Sequence, residues 1–162
     1  MRRDSFSTAR LIALLLPLAL MAGALASQYI GGLYPCEMCH WQRWPHYAAI
    51  ILAALAFVVP GATVRRLLVL LAAVAIGASG AIGVFHAGVE YHWWQGFTAC
   101  ASTMHGSGGT PSEMLARIMN APLVRCDVPQ WSLFGISLAG FNAVFSLTGA
   151  AAIFWQMGKR AS

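Results

Sequence analysis

Four stretches of this chain contain no Asp, Glu, Lys or Arg: Leu11 to Cys36, Trp44 to Val64, Leu67 to Val89 and Val128 to Gly158. A helix needs about 20 apolar residues to cross a bilayer's hydrocarbon core, and each stretch can supply them. Soluble domains carry roughly a quarter of their residues as charges, whereas this chain has 9%. The expected fold class is therefore an all-α membrane protein, a bundle of four transmembrane helices. The expected spans are approximately 11–29, 45–63, 67–89 and 132–157, in one domain over 1–162, with loops at 30–44 and 90–131.

Seven of the ten Lys/Arg residues lie in three short segments: Arg2, Arg3 and Arg10, then Arg65 and Arg66, then Lys159 and Arg160. The positive-inside rule places these segments, and with them both termini, in the cytoplasm. The two remaining loops then face outward and carry all four cysteines and Glu37, Glu90, Glu113 and Asp127. A net charge of +5 arranged in this way reflects topology and contact with anionic lipid, with no nucleic-acid partner implied. Of ten Trp and Tyr residues, nine fall at expected outer helix ends or in outer loops, and only Trp155 marks the inner face. Such rings anchor helices at headgroup level. The basic start and Ala24-Leu25-Ala26 resemble a cleavable signal, but the apolar run is longer than a signal core, and a retained first span is expected.

The first outer loop holds Cys36-Glu37-Met38-Cys39-His40. Read as C-x-x-C-H it is a haem-attachment signal, and read as C-x-x-C it is a redox dithiol. Haem would use His40 as axial ligand, with His46, His86, His92 or a methionine opposite, but would leave Cys100 and Cys126 without a role. Pro45 suits a helix's first turn. If the backbone is already helical from Cys39, Arg43 follows one turn later on the same face, where its guanidinium favours a thiolate.

The second loop encloses 25 residues between Cys100 and Cys126. Within it Thr110, Pro111 and Glu113 form a helix-start signal, and Met114, Leu115, Ile118 and Met119 recur on one face. A short amphipathic helix lying in the interface is expected there. The upstream His105-Gly-Ser-Gly-Gly-Thr110 reads as a flexible linker. Four cysteines allow three pairings. A C-x-x-C ring staples almost nothing and suits exchange, while Cys100 and Cys126 are spaced too widely for a usual zinc site. Gly77, Gly80 and Gly83, with Gly135 and Gly140, are expected to permit close helix packing, and Asn142 to act as interhelical glue.

Pro35-Cys36-x-x-Cys39-x-x-Gln42-Arg43, His86-Ala-Gly-Val-Glu90, Cys100, and Cys126-Asp-x-Pro129-x-Trp131-x-x-Phe134-Gly135 together resemble the disulfide bond formation protein B (DsbB) family of bacterial inner membranes. The likeness runs from the first span through the fourth. It implies an inner-membrane thiol:quinone oxidoreductase whose cysteines are periplasmic. Such an enzyme re-oxidises a DsbA-like periplasmic thiol oxidase and passes the electrons to ubiquinone or menaquinone.

Carried over by motif, Cys36 and Cys39 are the quinone-side pair, Cys100 and Cys126 the partner-side pair, and Arg43 the charge beside the quinone. His86 and Glu90, one turn apart, are placed near the quinone, to bond its carbonyl or relay protons. The readings left beside this one are a haem-bearing electron-transfer protein and a structural four-helix protein with inert disulfides.

Overall fold

The computed structural model describes residues 2–96 and 125–159, together with Thr110 and Ser112. Helices α1 (Arg2–Tyr29), α2 (Glu37–Val58), α3 (Ala62–Glu90) and α4 (Leu138–Gly158) are joined by a short hairpin, β1 (Ser132–Leu133) and β2 (Ile136–Ser137), that leads into α4. The helices pack in a ring in which α3 lies between α2 and α4, and α1 closes the circle against both.

Three of them are long and apolar enough to cross a membrane: Ser5–Tyr29 of α1, Ala62–Glu90 and Leu138–Gly158. Helix α2 is not among these, because its first half carries Glu37, His40, Gln42, Arg43 and His46. The protein is a helical membrane protein.

Its interior is built from small side chains. Ala9, Ala13, Ala49, Ala53, Ala56, Ala72, Ala73 and Ala150 share one core with Val69, Ile76 and Ile153. Leu15, Ile51, Leu67, Val74 and Phe154 lie on the outside. That is the reverse of a soluble core, and it follows from a lipid solvent: large apolar residues gain nothing by leaving lipid, so close helix approach over small residues supplies the packing.

Gly80 and Gly83 show this on α3. A Cβ at Gly83 would lie 3.0 Å from both the Ala139 carbonyl oxygen and the Ala143 nitrogen of α4, and one at Gly80 would lie 2.9 Å from Leu147 Cγ.

Several boundaries differ from expectation. Helix α2 starts at Glu37, inside the expected first loop, since the Cys36 sulfur caps it by accepting from Cys39 N at 3.2 Å. Pro45 therefore sits within the helix, not in its first turn. The expected fourth span begins at 132, but residues 132–137 form the hairpin and α4 begins at Leu138. Gly135 belongs to that hairpin's turn, with φ +77°, and a Cβ on Gly140 would meet Ile136 and Ser137, so neither mediates contact between helices. Apart from Thr110, the residues that marked the expected interfacial helix (Pro111, Glu113, Met114, Leu115, Ile118 and Met119) lie outside the described residues.

Candidate active site

Cys36 is where the chain turns from the α1–α2 connection into α2, in extended conformation (φ −77°, ψ 173°). One helical turn brings Cys39 back beside it, with the sulfurs 2.7 Å apart and unbonded. A disulfide is about 2.05 Å long, so closure needs only a small movement. Cys126 arrives from just before the hairpin. It is buried with Cys36, Met38 and Val89, and its thiol is hydrogen-bonded to Cys36. Three of the four cysteines thus share one cluster, while Cys100 lies outside the described residues.

The environment splits the C-x-x-C pair electrostatically. Hydrogen bonding to Cys126 and Cys39, with burial, raises the Cys36 thiol's pKa well above its ordinary value. Cys39 is lowered, first because it accepts a hydrogen bond from the Cys36 thiol. Position in the first turn of a helix adds to this, since the helix N-terminus favours an anion. The reduced pair holds its negative charge on Cys39.

His86, buried on α3, faces this cluster: its Nε2 lies 3.6 Å from Cys36 Sγ and 3.7 Å from Glu90 Oε1. Its Nδ1 lies 2.8 Å from Gln42 Nε2 of α2. Glu90 is buried in its turn, and the Ser137 hydroxyl donates to its second carboxylate oxygen. The hairpin is tied to α3 a second time by Tyr91, whose hydroxyl donates to the Gly135 carbonyl at 2.7 Å and accepts from Ser137 N at 2.9 Å. The left-handed turn at Phe134 and Gly135 (φ 52° and 77°) is what lets Ser137 reach Glu90.

Arg43 lies one turn beyond Cys39. Its hydrogen bonds go to α1, to Gln28 Oε1 at 2.6 Å and the Ala24 carbonyl at 3.2 Å. It is not among the groups that lower Cys39. What the two residues share is a cavity of about 240 Å³ between α1, α2 and α4, lined among others by Ala24, Cys39, Arg43, His46, Phe141 and Phe145. His86 and Glu90 border the same space.

Below it runs a polar network that sequence reasoning found only in part. Asn142 Nδ2 donates to Gln42 Oε1 at 2.8 Å and to Ser79, and Ser146 donates to Asn142 Oδ1. His46 Nε2 lies 2.9 Å from both Asn142 Oδ1 and Ser79 Oγ. Asn142 is thus glue between α4, α2 and α3. The spacing of polar residues signalled one of its partners, Ser146, four positions after Asn142 in an otherwise apolar span. Cys36, Cys39 and His86 also place ligand atoms within 4.8 Å of one another, a soft donor set for a cation.

Among known proteins, an uncharacterized protein of Rickettsia prowazekii (strain Madrid E), RP370, is 20% identical over 147 residues, covering 90% of this chain and 84% of that protein. No solved structure matches the chain. The family model described as disulfide bond formation protein DsbB matches residues 6–156, a span that contains the cysteine cluster, its histidine, all of α2 and α3, and all but the start of α1 and the end of α4. The chain belongs to the DsbB family of membrane proteins that form disulfide bonds.

Proposed function

We propose that this protein is a thiol:quinone oxidoreductase that re-oxidises a DsbA-like periplasmic dithiol oxidase and delivers the electrons to ubiquinone or menaquinone. The observation that carries this reading is the placement of Cys39 and Arg43 on one cavity, with Cys36, His86 and Cys126 clustered at its edge. All four helices then cross the bacterial inner membrane as one unit of 162 residues, with the termini cytoplasmic and the cysteine end periplasmic. Arg10, stacked 4.1 Å over Phe57, and Lys159, 3.5 Å from the Trp155 ring, supply the positive charge expected of a cytoplasmic face.

In this mechanism a partner thiolate attacks Cys100 of a Cys100–Cys126 disulfide, forming a mixed disulfide and releasing Cys126 as a thiolate. Cys126, hydrogen-bonded to Cys36 in the cluster, attacks the Cys36 sulfur of the Cys36–Cys39 disulfide. A Cys36–Cys126 bond forms and Cys39 leaves as a thiolate. That is the favoured leaving group, because its pKa is the lower of the pair. The partner's second thiol resolves its bond to Cys100. The Cys100 thiolate then attacks Cys126, regenerating Cys100–Cys126 and releasing Cys36.

Re-closure of the Cys36–Cys39 bond gives up two electrons and the one proton that Cys36 holds; with one further proton from solvent these would convert a quinone to a quinol. His86 accepts from Gln42 at Nδ1, so its Nε2 carries the ring proton between Cys36 and Glu90 and can donate to the Cys36 sulfur when that sulfur is a thiolate. Arg43 favours negative charge on the cavity side. The residues fit such a ring: the cavity is lined by apolar side chains from α1 and the two phenylalanines of α4, with charge confined to the cysteine end.

The test is reduced partner, purified protein and a soluble quinone, followed by quinone absorbance with each cysteine replaced in turn. Loss of turnover in every single-cysteine variant is expected. Turnover that survives loss of Cys36 or Cys39 refutes the assignment, and covalently bound porphyrin in native material refutes the whole reading.

A further inference from the structure

The buried network leaves one polar atom over, and its chemistry can be read from its neighbours. The Ser79 hydroxyl donates to the Gln42 carbonyl oxygen at 2.8 Å, so its proton is committed and its oxygen is free to accept. Asn142 presents Oδ1 to His46, because its amide nitrogen is spent on Gln42 and Ser79. Both atoms 2.9 Å from His46 Nε2 are therefore acceptors, and Nε2 must carry the ring proton. In the neutral imidazole this leaves Nδ1 as a bare lone pair. His46 is only 3% exposed, and Nδ1 has no hydrogen-bond partner among the described residues. A buried acceptor without a donor is destabilising, so a ligand that brings a donor to it gains affinity.

His46 lines the same cavity as Cys39 and Arg43. The three stand at i, i+4 and i+7 on one face of α2, and at about 1.5 Å rise per residue His46 lies roughly 10 Å along the axis from Cys39. A six-membered ring with para oxygens, hydrogen-bonded at each end, covers such a span.

We propose that His46 is a redox-state-selective positioning residue: its Nδ1 accepts a hydrogen bond from the hydroxyl of the reduced ring, so the cavity holds a hydroquinone more tightly than the corresponding quinone. A quinone carbonyl is itself an acceptor and gains nothing from a bare lone pair, whereas a hydroquinone O–H is the donor that this atom lacks. The proposal rests on the quinone reading above. Its consequence is thermodynamic. Each tenfold preference for the reduced ring raises the two-electron potential of the bound couple by about 30 mV, which makes the ring a stronger acceptor for Cys36 and Cys39 and makes its product slower to leave.

Two substitutions separate this role from that of network glue. His46→Gln places an amide nitrogen where Nε2 was and keeps the bonds to Asn142 and Ser79, but removes the Nδ1 acceptor. His46→Asn places an acceptor near Nδ1 and gives up those bonds. In a Cys39→Ser background that cannot turn over, the affinities of a short-chain benzoquinone and of its hydroquinone are measured by equilibrium dialysis in nanodiscs.

The ratio of hydroquinone to quinone affinity is expected to fall about tenfold in His46→Gln, the value of one net hydrogen bond of about 1.4 kcal/mol. It should stay within about twofold of the parent in His46→Asn, an affinity change below 0.5 kcal/mol on the same scale. An unchanged ratio in His46→Gln, or a larger fall in His46→Asn, overturns the proposal while leaving the quinone reading intact. Failure of the parent protein to bind either ring overturns both.

Discussion

His86 Nε2 stands 3.6 Å from the sulfur of Cys36, although the two residues are 50 positions apart in sequence. The imidazole is held from behind by Gln42, whose Nε2 lies 2.8 Å from Nδ1. Gln42 donates to Nδ1, so Nε2 carries the ring proton and can donate to a Cys36 thiolate without first having to find its rotamer. His86→Phe, which fills the space without a nitrogen, should slow re-closure of the Cys36–Cys39 pair by about 10²-fold, or roughly 2.7 kcal/mol, within the range for loss of a hydrogen bond to a charged group. Stopped-flow oxidation of the reduced protein by quinone measures it, and a rate within twofold of wild type would count against that hydrogen bond.

The split between the two thiols makes a pH prediction with a definite sign. Because Cys39 is lowered, its thiolate persists as pH falls below the ordinary thiol range of about 8.5, while Cys36, raised by Cys126 and burial, stays protonated. Iodoacetamide should modify Cys39 before Cys36 in reduced protein at pH 7, as read by peptide mass spectrometry. Cys36→Ala removes the first cause of the lowering, so the midpoint of Cys39 alkylation should move upward in pH.

Arg43 is bound to α1 through Gln28 and Ala24, so its replacement loosens the cavity wall as well as removing a charge. Arg43→Gln should raise the apparent KM for quinone about tenfold, a loss of roughly 1.4 kcal/mol, with the helical content unchanged. Kinetics with the same KM as wild type would remove Arg43 from the quinone side of the mechanism.

Asn142 connects three helices, and Asn142→Leu leaves Gln42, Ser79, His46 and Ser146 short of partners. Interhelical hydrogen bonds in membrane proteins are worth about 0.6 kcal/mol on average and up to roughly 1.7, and several are lost together here. A destabilisation of about 1–3 kcal/mol is expected in denaturation from mixed micelles.

Gly83→Ala tests the packing of α3 on α4. The added Cβ meets two backbone atoms at 3.0 Å, which no rotamer change can relieve. Overpacking of this kind costs about 1–3 kcal/mol. The same assay reads it, with Gly77→Ala as the mild control, since a Cβ there finds its neighbour at 3.7 Å.

What the sequence by itself determined was the solvent and the chemistry. Long charge-free stretches admit only helices in lipid, because a backbone there must satisfy its own hydrogen bonds, and the Cys36-x-x-Cys39 spacing brings two sulfurs together wherever one helical turn forms. The family pattern named Arg43, His86 and Glu90 without saying what each touches. The tertiary structure decided those contacts: that Cys36, not Cys39, faces His86, that Arg43 is bonded to α1, and that Glu90 is held by Ser137 across a hairpin the sequence had assigned to a helix. It also decided that His46 and Asn142, 96 residues apart, share a hydrogen bond. The reason is physical. Hydropathy and spacing report each helix against its solvent, whereas which polar side chains meet inside the bundle depends on helix rotation and register, set by close approach over small residues such as Gly80 and Gly83.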